Sequence, residues 1–174
     1  MKNNFFVFVL VLAVAFAGCS RAKKKMLNQI NKIEKDVFAD STNALNLDKA
    51  NLLIKSYTEF ADKFPSEANA PDMLFKASEV AMNSGQGDLS VSIIEKLEKK
   101  YPENPKVATA MFLKGYVYEN ILKDTKKARL AYTEFIHKYP NHQLVNDAKA
   151  CINNLGKSDE EIIKEFEAKI DNKL

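Results

Sequence analysis

Tryptophan is absent from the 174 residues, glycine and proline number five each, and there are only two cysteines and two histidines. So little glycine leaves no loop that could cradle a phosphate; Gly85-Gln86-Gly87 stands alone and reads as a turn. No serine sits in a nucleophile elbow, and no pair of acids falls in a His-containing neighbourhood. His137 and His142 flank Pro140 without a Cys or paired carboxylates at ligand spacing, so no metal centre is expected. No stretch alternates apolar and polar residues as a strand would. Basic and acidic residues are nearly balanced, 26 against 23, which argues against a nucleic-acid surface. No catalytic residue and no cofactor are expected, and the chain is not read as an enzyme.

A long apolar run is missing as well. The longest, Phe5 to Gly18 after Lys2, is about 14 residues, short of the roughly 20 that cross a hydrocarbon core. Its length and its basic start are those of a secretory signal. Phe16-Ala17-Gly18-Cys19 resembles the lipobox of bacterial lipoproteins, with Phe where Leu is usual. The resemblance implies removal of residues 1–18 and transfer of a diacylglycerol to the Cys19 thiol. Each buried CH₂ of the acyl chains would then contribute about 0.8 kcal/mol to membrane attachment. The competing reading is an ordinary signal followed by an incidental Cys.

Arg21, Lys23, Lys24, Lys25 and, a little further on, Lys32 follow that cysteine. Two readings of this basic segment are open. It favours an anionic lipid surface, at about 1 kcal/mol per residue near a charged leaflet, or it is a solvated tether. Cys151, left without an intramolecular partner if Cys19 is acylated, falls in an apolar helical pattern with Ala148 and Ile152 and reads as a buried structural residue.

Phe64-Pro65, Tyr101-Pro102 and Tyr139-Pro140 recur at intervals of 37 and 38 residues. A period in the thirties marks a helical repeat whose apolar face only a neighbour can cover. Shifted by 38, Met73-Leu74-Phe75-Lys76-Ala77 overlies Met111-Phe112-Leu113-Lys114-Gly115. Helices are expected over 26–38, 47–64, 70–84 with 88–101, 105–122 with 125–139, 142–155 and 159–171. Asn104, Asp88 and Asp124 are candidate caps, and Ser158 with Glu161 forms a capping box for the last helix. Glu95 and Glu98 beside Lys96, Lys99 and Lys100 read as a solvated face with weak ion pairs.

With these residues in view the chain resembles tetratricopeptide-repeat proteins. More narrowly, it resembles the BamD-like outer-membrane assembly lipoproteins and the periplasmic repeat protein associated with the Tol-Pal system. Gly115 and Tyr118 stand at the small and aromatic positions of a first helix, and Ala128, Tyr132 and Pro140 at the small, aromatic and proline positions of a second. Ser90 and Ile94 depart from the pattern, as does Leu53. The fold implied is all-α, a short α-solenoid of about three helical hairpins. Its expected organisation is a lipoprotein signal peptide 1–18, a lipidated Cys and basic tether 19–26, an N-terminal helix and linker 27–46, a repeat domain 47–155 and a capping helix 156–174.

Carried over by position, the concave groove of such repeats would show Leu74, Ser78, Met82, Phe112, Tyr116, Glu119 and Asn120. That set is apolar and aromatic, with Phe112 and Tyr116 as expected anchors for a partner's helix or extended segment. The alternative is that Leu27, Ile30, Ile33 and Val37 of the N-terminal helix fill the groove. The expected function is a non-catalytic, lipid-anchored scaffold for envelope protein partners, placed at the outer membrane facing the periplasm. An accessory lipoprotein of a cell-wall enzyme system and a self-associating repeat protein are the other readings.

Overall fold

The computed structural model describes residues 2–38, 46–158, 160–161 and 163–164, with side chains from Ser20 onward. The principal helices among these residues are α1 (Lys2–Phe38), α2 (Leu47–Lys63), α3 (Ala70–Asn83), α4 (Gly87–Lys100), α5 (Lys106–Asn120), α6 (Thr125–Lys138) and α7 (Val145–Asn154). Among the described residues there is no strand, and no helix is long and apolar enough to cross a membrane. The all-α class read from the sequence is the class observed.

Local chemistry punctuates the chain identically three times. Proline disfavours helical geometry in the residue before it, and Phe64, Tyr101 and Tyr139 leave the helix at φ/ψ of −128/57, −135/54 and −130/60°. Each still donates its N–H to the carbonyl four residues back. The turn is then closed by Glu67, Asn104 and His142 N–H donating to the Phe64, Tyr101 and Tyr139 carbonyls, and by Ala70, Val107 and Val145 donating to the next carbonyls in register. The aromatic-proline repeat is therefore a helix stop joined to a fixed turn.

Helix starts follow the caps in part. Asn46 Oδ1 accepts from the N–H of Asp48 and Lys49 ahead of α2, and Asp124 Oδ1 accepts from Lys127 N–H ahead of α6. Asn104 Oδ1 accepts from Lys106 N–H at 2.9 Å. Asp88 does not cap: α4 begins one residue earlier, at Gly87, and Asp88 lies in its first turn, where a carboxylate still favours the positive end of the helix. α7 starts at 145 rather than 142, because 140–144 belong to the third turn. Ser158 and Glu161 do form the expected box, with Ser158 N–H donating to Glu161 Oε2 and Glu161 N–H to Ser158 Oγ. Most of the helix expected to follow lies outside the described residues, as does the linker 39–45.

Two compact units meet at Ser84 and Gly85, inside the span expected as one domain. Gly85, at φ +75°, takes the left-handed conformation that ends α3. In the first unit α2 packs on α1 and α3, burying Ile30, Leu53, Tyr57, Phe60 and Leu74. The N-terminal helix is thus part of that unit. Instead of starting near 26, it runs without a break from Lys2, for no Pro, Gly or capping residue interrupts Arg21 to Met26. In the second unit α4, α5, α6 and α7 pack in sequence around Leu97, Met111, Val117, Tyr132 and Phe135.

Candidate functional site

The first unit carries an open cleft of about 470 Å³. Helical spacing builds it: Lys76, Glu79, Val80 and Asn83 stand at i, i+3, i+4 and i+7 on α3, and Glu34 and Phe38 at i and i+4 on α1, with Tyr57 of α2 at the base. Phe38 is 59% exposed, a large apolar ring at the rim. Sequence reasoning missed this site. The available signal was the polar stripe Asp72, Lys76, Glu79, Asn83 along one side of a helix whose other positions are mostly apolar.

One side of the cleft is held by a charged knot. Tyr57 Oη donates to Glu34 Oε1 at 2.6 Å, and Lys76 Nζ donates to the same oxygen at 2.8 Å while lying 5.7 Å from the Tyr57 ring centroid. Burial pushes the Glu34 carboxyl up, but the hydrogen bonds from Lys76 and Tyr57 and the Lys76 charge outweigh it and hold Glu34 below its ordinary value. Burial and then the bond to Glu34 push the Tyr57 phenol well above the usual tyrosine range.

A carboxyl depressed on folding adds stability above its unfolded value of about 4.3 and loses it as the pH falls. Glu34→Gln is therefore expected to melt below the native chain at pH 7. The gap should narrow as the pH falls from about 5 through the carboxyl's unfolded value and then its lowered folded one, as Glu34 takes up its proton. Circular-dichroism melts at both ends of that range check it; a gap that persists unchanged at pH 3 would show the loss is not electrostatic.

The seven residues read as a groove fall into two sets. On α3, Leu74 and Ser78 are fully buried, Ser78 Oγ donating to the Phe75 carbonyl at 2.7 Å, and Met82 is half-buried. Leu74 and Ser78 are core rather than partner-facing, because they share a buried face of α3 with Ala70, Ala77 and Ala81, away from the polar stripe. On α5, Phe112 is half-buried against the rings of Tyr132 and Phe135, with centroids at 5.5 and 5.8 Å. Glu119 accepts from Tyr132 Oη at 2.8 Å, and Asn120 Nδ2 donates to its own helix at the Tyr116 carbonyl. Tyr116 alone of the seven is exposed, at 41%. Ile30 and Val37 are buried, Leu27 and Ile33 half-buried, and Glu34 between them reaches α2 and α3, so α1 covers part of the first unit's face.

Glu98, expected on a solvated face, is instead half-buried, with its Oε1 2.9 Å from Lys114 Nζ. Among the described residues no group of three or more His, Cys, Asp or Glu could hold a metal ion. His142 is structural: its Nδ1 accepts from Leu144 N–H at 3.3 Å and its ring meets Phe135 edge-on. Burial raises the Cys151 thiol, and the charges of Glu119 and Asp147 add to that against a bond from Tyr132, so it is a poor nucleophile at neutral pH. The Cys19 side chain, and with it the lipidation expected there, lies outside the described residues.

Residues 109–142, the span of α5, α6 and the third aromatic-proline turn, match the family model of the tetratricopeptide repeat. The chain is similar to curated proteins named outer membrane protein assembly factor BamD. It is 22% identical to those of Neisseria gonorrhoeae and Neisseria meningitidis serogroup A, and 21% to that of serogroup B. Each match covers 80% of this chain and 60% of the relative, so the chain spans about 60% of the length of these relatives. The resemblance read from the aromatic-proline period is borne out.

Proposed function

We propose that this chain is a non-catalytic, lipid-anchored adaptor of the bacterial cell envelope that serves outer-membrane protein assembly through its helical-repeat surface. The observation that carries this reading is the similarity over 80% of the chain to proteins named for that assembly, joined to a tetratricopeptide repeat. The repeat supports protein partners, and two features offer them apolar surface: the cleft rimmed by Phe38 in the first unit and exposed Tyr116 in the second. Phe38 would seat a partner's apolar side chain, with the Lys76–Glu34 pair and Asn83 fixing its orientation. Cys19, after a signal of residues 1–18, would supply attachment to the outer membrane on its periplasmic side.

Depletion of the protein from its native bacterium should lower the amount of folded β-barrel protein in the outer membrane, read by heat-modifiable mobility on gels. Unchanged barrel levels on full depletion would refute the assembly reading. Incorporation of labelled palmitate should be present in the native chain and absent in Cys19→Ala; label retained in that variant would refute the anchor.

A further inference from the structure

We infer that the outward face of α1 is a docking surface for anionic lipid headgroups, which sets the orientation of the first unit on the membrane. Arg21, Lys24, Lys25, Asn28, Gln29 and Lys32 follow one another at i, i+3, i+4, i+7, i+8 and i+11. They line one continuous exposed surface of the helix. Four of the six are cationic, and α1 itself carries no acid from Ser20 to Ile33; the acids of α2 beside it, Glu59 and Asp62, line a hollow next to Gln29 at the stripe's edge. The first acid of α1, Glu34, is taken up by Tyr57 and Lys76 on the opposite side.

The basic residues are sorted by face. Lys23 does not join the stripe: its Nζ lies 2.7 Å from Glu67 Oε1, in the turn that leads from α2 to α3. Further along, Lys49 Nζ reaches the Asp36 carbonyl at 3.2 Å, and Ile30 and Val37 are buried. α1 is thus stapled to its unit at both ends, and whatever the stripe rests on orients that unit.

An anionic surface of lipid is favoured over an acidic protein by position. Once residues 1–18 are removed as proposed above, the stripe starts two residues after Cys19, at the end of the chain placed against the membrane. At 1.5 Å per residue, Arg21 to Lys32 spans about 17 Å, so the whole stripe meets a leaflet if α1 lies along it. A cation there gains from anionic lipid, and salt screens that gain. The inference rests on the membrane placement proposed above but not on acylation itself.

The test uses the full chain reconstituted in vesicles of phosphatidylcholine, or of phosphatidylcholine mixed equally with phosphatidylglycerol. Lysines are labelled with an amine-reactive reagent and read by mass spectrometry. Labelling of Lys24, Lys25 and Lys32 is expected to fall about threefold or more with phosphatidylglycerol and to recover near 1 M salt, where the Debye length is about 3 Å. Lys55 and Lys127, exposed on α2 and α6, serve as references. Equal labelling of the stripe in both lipids overturns the inference, and so does equal protection in both. A stripe open on both vesicles but protected in native envelopes also overturns it, in favour of an acidic protein. In Cys19→Ala the same footprint should persist, so a failed anchor and a failed docking face give different results.

Discussion

Replacing Tyr132 with alanine lowers the free energy of unfolding by about 3–5 kcal/mol, the range for deleting a fully buried aromatic side chain. Tyr132 has no exposed surface, its ring packs on Phe112, and its hydroxyl is fixed on Glu119. Against a total stability of order 5–15 kcal/mol, that loss is a large share. The same ring explains Gly115. A Cβ built there would stand 2.5 Å from Tyr132 Cδ1 and Cε1, and a ring held on two sides cannot slide away.

Two effects of Gly115→Ala therefore oppose each other. Helix propensity favours alanine by about 1 kcal/mol, while overpacking costs about 1–3. With the ring immobile the second wins, and the variant is less stable. In a Tyr132→Ala background the sign should reverse, because the new methyl enters the space the ring has left and only the propensity gain remains. Urea unfolding of the two single variants and the double variant reads this coupling. The same effect of Gly115→Ala in both backgrounds would mean that something other than Tyr132 excludes a side chain.

What was legible in the sequence follows from how local the physics is. A proline acts on the residue beside it, so Phe64-Pro65, Tyr101-Pro102 and Tyr139-Pro140 announced three helix stops of one geometry. The small and aromatic positions also spoke for themselves, since Gly115 and Tyr132 need each other at the closest crossing of α5 and α6. The groove was less legible because exposure is decided by neighbours. Leu74 and Ser78 are placed as a groove residue would be, yet α3 is buried around most of its circumference. The cleft at Phe38 was hidden for a related reason, as it needs α1 laid against α2 and α3, and that packing joins residues distant in sequence: the knot of Glu34, Tyr57 and Lys76, the Lys23–Glu67 pair and buried Ile30 and Val37. Asp88 shows the limit of caps: an acid one residue inside a helix start resembles a cap in sequence and differs only in its backbone.

The overlay of Lys76 on Lys114 was visible in the 38-residue period, but its purpose was not. Each lysine reaches a carboxylate on an earlier helix of its own unit, Lys76 to Glu34 on α1 and Lys114 to Glu98 on α4. The second pair is the more deeply enclosed. Lys114 is 7% exposed, its ammonium lies 2.9 Å from Glu98 Oε1 and 3.2 Å from Oε2, and Glu134 is 3.9 Å away on an exposed side chain. Glu98→Ala should accordingly cost about 3 kcal/mol, the low end for stranding one member of a buried pair, since Glu134 can swing towards the ammonium. Lys114→Met is expected to cost a comparable amount. It keeps the apolar stem packed but removes the cation beside Glu98, whose Oε1 is shielded from solvent. The double variant should then recover most of what Glu98→Ala loses, as buried pairs replaced by apolar residues of similar volume often do. Chemical denaturation of the three variants decides the matter. If the double variant is no more stable than Glu98→Ala, the loss comes from the space Glu98 filled between α4 and α5 and not from the cation it neutralised.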